Sequence, residues 1–520
     1  MRGGRRHRIL HISLVVALVA VAAAVGGVAL YASTSEDSTS GNTGGTSAAS
    51  TAATPAAVIP NAVTPKPSTG PTPSAGTPST PSSASPALPA LWQRTASPAA
   101  PLLTPVLPVA STADPTTAGL TATLTPLLAD HAFAGDTVAM LVADAASGQV
   151  LFSHAAAAAV APASTAKLAV AVAALTVLGP DHRIYTAVRQ GAQAGEIVLV
   201  GGGDPTLAGP SATGVLSPGY PAPASLAELA SQTAAQLHKS GSATVSLGYD
   251  ASLFVGPEVA PEWKPIYQTE GDVAPVSALE VDEGSPNLAK PGRVADPALA
   301  AASEFATLLT ADGIKVTGAP RADKAPATPV TLAAVESPPV SELVQRMLGR
   351  SDNDLAEALA RQVAIASGQP ASFVGGVTAV KAALATWGID PTELSMVDAS
   401  GLSPLDRVTP GLLVQLMHIA LVPQPDRTDM SAIFEGMPVA GFYGTLSARY
   451  SGTASAGAGV IRAKTGTLDG VVALAGYLQD SSGVTLEFVT IANGVAKTAS
   501  AVTEEALDRL TASLPACGCR

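Results

Sequence analysis

The chain has 520 residues, 47% of them hydrophobic and only 4% aromatic, so it can bury a sizeable core made of Ala, Val and Leu rather than rings. Its net charge is −12, and since Arg2, Arg5, Arg6 and Arg8 open the chain with no acid among them, the remainder carries −16. An acidic body argues against a nucleic-acid partner, which needs clustered Lys and Arg, and the two cysteines, Cys517 and Cys519, provide neither a disulfide framework nor a spaced-cysteine metal site.

Residues Ile9 to Ala32 form a 24-residue apolar run broken only by His11 and Ser13, behind the basic cluster Arg5 to Arg8. That length spans a bilayer, and the basic flank orients the N-terminus to the cytoplasm. The run reads as an uncleaved signal anchor. It is favoured over the alternative, a cleaved signal peptide, because the run is long and the Leu30-Tyr31-Ala32 site is a poor cleavage signal. Both place the body outside the cytoplasm, and Arg5-Arg6 also permits twin-arginine export. Residues 33–115 are Ser, Thr, Pro, Ala and Gly and hold 15 of the 43 prolines. Such a segment buries too little apolar surface to offset its chain entropy, and its prolines make it a semi-stiff tether.

Globular patterning starts near Leu120. Val138 to Ala143 and Val150 to Phe152, joined by the turn Asp144 to Gly148, predict a β-hairpin. A helix is expected from about Ser164 to Leu178, after Pro162 and before Gly179-Pro180. Residues 182–331 read as an inserted α+β domain, with strands at Glu196 to Val200 and Ala243 to Leu247 and a helix at Ser225 to Leu237. Helices return at Ser341 to Leu348 and Asp354 to Ala366. The strands Val471 to Leu478 and Val484 to Asn493 and a helix from Val502 to Leu514 complete the pattern. Segments 116–181 and 332–515 then form one α/β (α+β) sandwich, with helices flanking a largely antiparallel sheet. The tail 516–520 is expected to be disordered.

Three motifs carry chemistry. In Ser164-Thr165-Ala166-Lys167, a spacing of three puts the hydroxyl and the amine on one helical face. A desolvated lysine with a lowered pKa can take the serine proton. Alone, the pattern is equally a helix cap with a surface lysine among ten lysines. Ser351-Asp352-Asn353 lies between two helices and offers a hydroxyl for proton transfer and an amide to hold a peptide. Alone, it is a plain cap. Lys464-Thr465-Gly466-Thr467 lies on a strand. Its cation and hydroxyls suit a substrate carboxylate, and Gly466 clears space for a substrate strand. The Thr467 N–H can pair with that of Ser164 as an oxyanion hole. Alone, it is a strand end.

In this order the three match the set found in penicillin-binding proteins and class A β-lactamases. The chain resembles the low-molecular-mass, class C penicillin-binding proteins, the D-alanyl-D-alanine carboxypeptidases and endopeptidases, over about residues 120–515. Pro162 to Leu168, Leu178 to Asp181, Val200 to Leu207, Ala274 to Leu279 and Asp398 to Ser403 also look like family segments. The resemblance implies a penicillin-binding fold with an insertion between the first two motifs. It implies that Ser164 is acylated, Lys167 is its base, Ser351 and Asn353 assist, and Lys464, Thr465, Gly466 and Thr467 bind the terminal carboxylate. Its substrates would be peptidoglycan peptides ending in D-Ala-D-Ala, and β-lactam antibiotics its covalent inhibitors. The insertion is shorter than in the fullest members, so a third small domain is expected to be reduced or missing. The anchor and tether depart from the general family pattern.

A β-lactamase would share the acylation apparatus, but no Glu-x-x-Leu-Asn segment lies between Asn353 and Lys464. A Ser-His-Asp hydrolase is disfavoured by the absence of a Gly-x-Ser-x-Gly elbow. A cell-wall-binding protein on an inactivated copy of the fold would have lost part of the set. The Gly201-Gly202-Gly203 loop lacks the Gly-Lys-Ser/Thr ending of a phosphate loop and reads as a tight connection. No cofactor or metal is implied by acyl transfer through serine.

Overall fold

A computed structural model describes residues 115–210, 222–327, 330–422 and 427–517. The segments read as anchor and tether lie outside these residues, apart from Pro115. Among the described residues no helix is long and apolar enough to cross a membrane.

The chain opens with α1 (Thr117–Leu128) and the hairpin β1 (Thr137–Asp144) and β2 (Val150–His154), followed by α2 (Lys167–Leu178). The middle contains β3 (Tyr185–Gln190), β4 (Glu196–Val200), α3 (Leu226–Lys239), β5 (Thr244–Asp250), α4 (Ile266–Glu270), α5 (Pro297–Ala311), β6 (Lys315–Val316), β7 (Arg321–Ala322) and β8 (Thr331–Glu336). Then come α6 (Val340–Arg350), α7 (Asn353–Ala366), α8 (Phe373–Ala385), β9 (Leu394–Ser395), β10 (Arg407–Val408), α9 (Pro410–Leu421) and α10 (Ser431–Glu435). The chain closes with β11 (Arg462–Leu468), β12 (Val471–Gln479), β13 (Thr485–Asn493) and α11 (Ser500–Ala516).

The main sheet has the order β11-β12-β13-β1-β2 and is antiparallel throughout. Both hairpins expected from the sequence form within it. Side chains alternate across a strand, and β1 uses both faces. Ala139, Leu141 and Ala143 join a core shared with α2, α6, α7, α8 and α9. Val138, Met140 and Val142 join a second core shared with α1 and α11. The sandwich of helices around an antiparallel sheet is therefore built as its residue pattern requires.

Helix α2 is buried from Lys167 to Leu175, as a helix that is apolar on every side must be. It begins later than its sequence suggests. Ala163–Ala166 is a tight 3-10 turn, and α-helical geometry starts only at Lys167. Ala163 stands at φ 46°, a conformation L-residues avoid, so the regular helix cannot extend back through it.

The middle segment makes a second sheet in the order β6-β5-β4-β3-β8, with β7 also beside β5. β4, β5 and β6 run parallel, whereas β3 is antiparallel to β4 and β8. α3 and α5 share a core with this sheet, around Val188, Leu199, Leu247 and Phe305. Each helix has a side-chain cap: Ser225 accepts from the Glu228 N–H, and Asp296 from the Leu299 N–H. β8 lies past the 331 boundary, yet it pairs with β3 and so belongs with this sheet. Gly201-Gly202-Gly203 is a close backbone crossing. A Cβ on Gly202 would fall 1.9 Å from the Tyr185 carbonyl oxygen.

Of the C-terminal tail, Cys517 packs against the α1/α11 core and lies 3.3 Å from the Thr123 hydroxyl. Helix α11 runs to Ala516 and brings it there.

Leu175 is fully buried in α2. Leu175→Ala is expected to lower stability by about 2–5 kcal/mol, read from the urea midpoint.

Candidate functional site

The three motifs, far apart in sequence, meet at one cleft of about 860 Å³, lined among others by Ser164, Ser351, Asn353, Thr465 and Thr467. Ser164 lies half-buried in the 3-10 turn that precedes α2. Lys167, one turn on, is fully buried beneath it. Its Nζ makes three hydrogen bonds: 2.9 Å to Ser164 Oγ, 2.6 Å to Asn353 Oδ1 and 2.6 Å to the Ser400 carbonyl oxygen. Three donors thus meet three acceptors. Burial lowers the ammonium pKa to about 8, while Asp398, Asp352, Glu357 and Asp354 hold it up.

The second motif is built by two helix ends. Ser351 closes α6 in the left-handed region at φ 61°, and Asp352 caps α7 by accepting from the Leu355 N–H at 2.9 Å. Non-glycine residues in this region carry strain and tend to cluster at functional sites. Ala163 and Ser351 both do so here. Asn353 is engaged at both ends, since its Nδ2 donates to the Asp272 carbonyl at 2.8 Å while its Oδ1 faces Lys167. Its amide therefore orients the lysine; the expected hold on a substrate peptide would compete with that role.

The third motif lies on β11. The Thr465 hydroxyl is 2.7 Å from that of Thr445, and the Thr467 hydroxyl donates to Glu504 at 3.0 Å. Lys464 is fully buried and donates to the Thr465 carbonyl at 2.7 Å. Burial first, and the Lys167 charge second, hold it well below the ordinary lysine range. The hydroxyls of this strand, rather than its amine, face the cleft. The missing side chain of Gly466 points toward the nucleophile turn: a Cβ there would sit 2.7 Å from the Pro162 carbonyl oxygen.

Ser400 is the residue whose part was least legible. The segment Asp398 to Ser403 stands out in the sequence without a stated role, and in the fold it passes behind Ser164. Gly401 has φ +79°, and a Cβ on it would lie 2.1 Å from the Ala163 carbonyl oxygen. Gly401 and Gly466 thus clasp the turn that carries Ser164.

At the cleft mouth Lys264 pairs with Asp469, and Lys497 lies 3.8 Å from the same carboxylate. Glu283, Asp352 and Asp354 bring carboxylate oxygens close enough to hold a cation, but Arg346 and Arg293 already pair with them. The arrangement is equipped to activate a serine hydroxyl with a buried amine inside a polar cleft.

Comparison with known proteins agrees with this geometry. Residues 120–291 and 287–514 match the family model described as D-Ala-D-Ala carboxypeptidase 3 (S13). A carboxypeptidase of Mycobacterium tuberculosis is 37% identical over 425 residues, covering 80% of this chain and 87% of the relative. Carboxypeptidase DacB of Mycolicibacterium smegmatis is 36% identical over 421 residues, covering 80% and 88%. Penicillin binding protein 4 of Haemophilus influenzae has a similar fold, with TM-score 0.61 and 23% identity over 77% of this chain and 99% of that one.

Gly401→Ala should displace the Ser164 turn and slow covalent labelling of the protein by a labelled penicillin at least roughly tenfold, beyond the cost of φ alone. Gly368→Ala, at φ +70° with no neighbour within 4 Å, is the control and should leave acylation unchanged.

Proposed function

This chain belongs to the D-Ala-D-Ala carboxypeptidase 3 (S13) family, and on that premise we propose that Ser164 is its acylated nucleophile and Lys167 the base that activates it. The enzyme is a serine-type D-alanyl-D-alanine carboxypeptidase that acts on peptidoglycan and binds penicillin covalently. The observation that carries the residue assignment is the buried Lys167 Nζ, 2.9 Å from Ser164 Oγ at the floor of the cleft.

In the proposed cycle, neutral Lys167 accepts the Ser164 proton as Oγ attacks the carbonyl carbon of the penultimate D-alanine. The N–H groups of Ser164 and Thr467, both on the cleft wall, receive the developing oxyanion. The C–N bond breaks, the terminal D-alanine or a cross-linked amine leaves with a proton, and the acyl group stays on Ser164. Water then attacks the ester, and the peptide leaves as a free acid. Ser351, on the same wall, relays the proton toward the leaving amine, and Asn353 fixes Lys167. Thr465 and Thr467 receive the substrate carboxylate, Gly466 lets β11 close on the nucleophile turn, and Lys464 braces the strand from behind through the Thr465 carbonyl.

The family acts on the cell wall, which supports an envelope location for this enzyme. An anchor at residues 9–32 and a tether at 33–115 are part of the proposal and rest on the apolar run, its basic flank and the proline-rich composition. The division into a catalytic domain (116–181 and 332–515) and an inserted one is likewise proposed. It is supported by the separate core of the second sheet, with the later boundary moved past Glu336 to include β8.

Full-length protein incubated with a labelled penicillin, denatured and digested should carry the label on the peptide containing Ser164. Ser164→Ala should abolish it, and Lys167→Met should slow it at least roughly a hundredfold. A label on any other serine would refute the assignment. Because Lys167 must be neutral to accept a proton, acylation should rise with pH through about 8.

A further inference from the structure

The Ser400 carbonyl, 2.6 Å from Lys167 Nζ, belongs to a loop that two buried carboxylates hold in place. Glu357 Oε1 accepts from the Ala399 N–H at 2.8 Å and from the Ser400 N–H at 2.9 Å. Asp398 Oδ1 accepts from the Gly401 N–H at 2.7 Å, and its Oδ2 from the Ser403 N–H at 2.7 Å and from Trp263 Nε1 at 2.6 Å. Glu357, Asp398 and Ser400 are all buried. Each carboxylate therefore gathers backbone N–H groups on either side of one peptide, and the Ser400 C=O is left pointing at the lysine. Isolated buried carboxylates are costly, so these two are retained against a desolvation penalty.

We propose that Glu357 and Asp398 are positioning residues for Lys167: they hold the Ser400 carbonyl against its amine, and their charge sets the pH range in which that amine serves Ser164. This rests on the assignment of Lys167 as base. Neither residue touches the cleft, and both act through the loop and through space.

The charged groups facing Lys167 are Asp352 and Asp354 at the α6–α7 junction, Glu357 on α7, Asp398 on the loop and Lys464 on β11. Behind them, Arg361 Nη1 pairs with Glu357 Oε2 at 3.0 Å and lies over the Phe373 ring, 4.2 Å from its centroid. Asp406 stands beside Asp398, where burial and that neighbour raise it to about 9. The negative charges favour the ammonium, while burial opposes it. Removing one carboxylate therefore lowers the lysine pKa and makes it a weaker base.

The test is the second-order rate constant for acylation of the full-length protein by a labelled penicillin, measured between about pH 6 and 10. In Glu357→Gln the side-chain oxygen still accepts from the loop, but the charge is gone. The acidic limb should move down by roughly one pH unit, and the rate above the limb should fall. Glu357→Gln with Arg361→Met leaves no stranded guanidinium and is read if the single variant does not fold; its limb should move the same way by less. A folded variant with its thermal midpoint within a few degrees of wild type and its limb at the wild-type pH would overturn the proposal. A wild-type profile with no acidic limb would instead sink the assignment of Lys167 as base, so the two failures are distinguishable.

Discussion

With Lys167 proposed as the base, the fold has to bury an ammonium group and still leave it able to let go of a proton. Lys167 sits at the start of an apolar helix, out of contact with water, and three acceptors from three separate parts of the chain compensate it. Compensation by carboxylates in direct contact would hold the proton too tightly. Here the contacts are a hydroxyl, an amide oxygen and a peptide carbonyl, and the carboxylates stand one layer back. The amine is thereby fixed in place while its pKa falls to about 8.

That requirement extends to the rest of the architecture. Asn353 can present its oxygen to Lys167 because its nitrogen is occupied by Asp272, a residue of the middle segment. Trp263, also from that segment, donates to Asp398. Glu283 pairs with Arg346 of α6, and Arg293 approaches Asp354 of α7. The middle segment is therefore part of the catalytic frame, and the paired charges around Asp352 and Asp354 hold the loop between α6 and α7 to it.

The sequence made some of this visible and hid the rest. The hairpins were legible because β1, β12 and β13 are apolar runs bounded by turn residues. The three motifs were legible because their spacing survives as sequence. The tight turn at Ala163–Ala166 was not, because one residue packed against it, Gly401, lies 238 positions away. Lys464 read as a cation suited to a substrate carboxylate, and only the assembled sheet shows that position to be enclosed. Glu357 and Arg361, at helical spacing on α7, carried no signal in the sequence; they form a buried pair, with Arg361 over the Phe254 and Phe373 rings. Local pattern reports elements, while the surroundings of a charged group are a property of distant contacts.

The placement of β11 near the end of the chain also bears on biosynthesis. The turn bearing Ser164 is held on one side by Gly401 and on the other by Gly466. A ribosome that has emerged only the first few hundred residues has made the hydroxyl and the amine, but not the strand that closes over them. The cleft is therefore complete only once the chain through β11 has been made and folded onto the Ser164 turn.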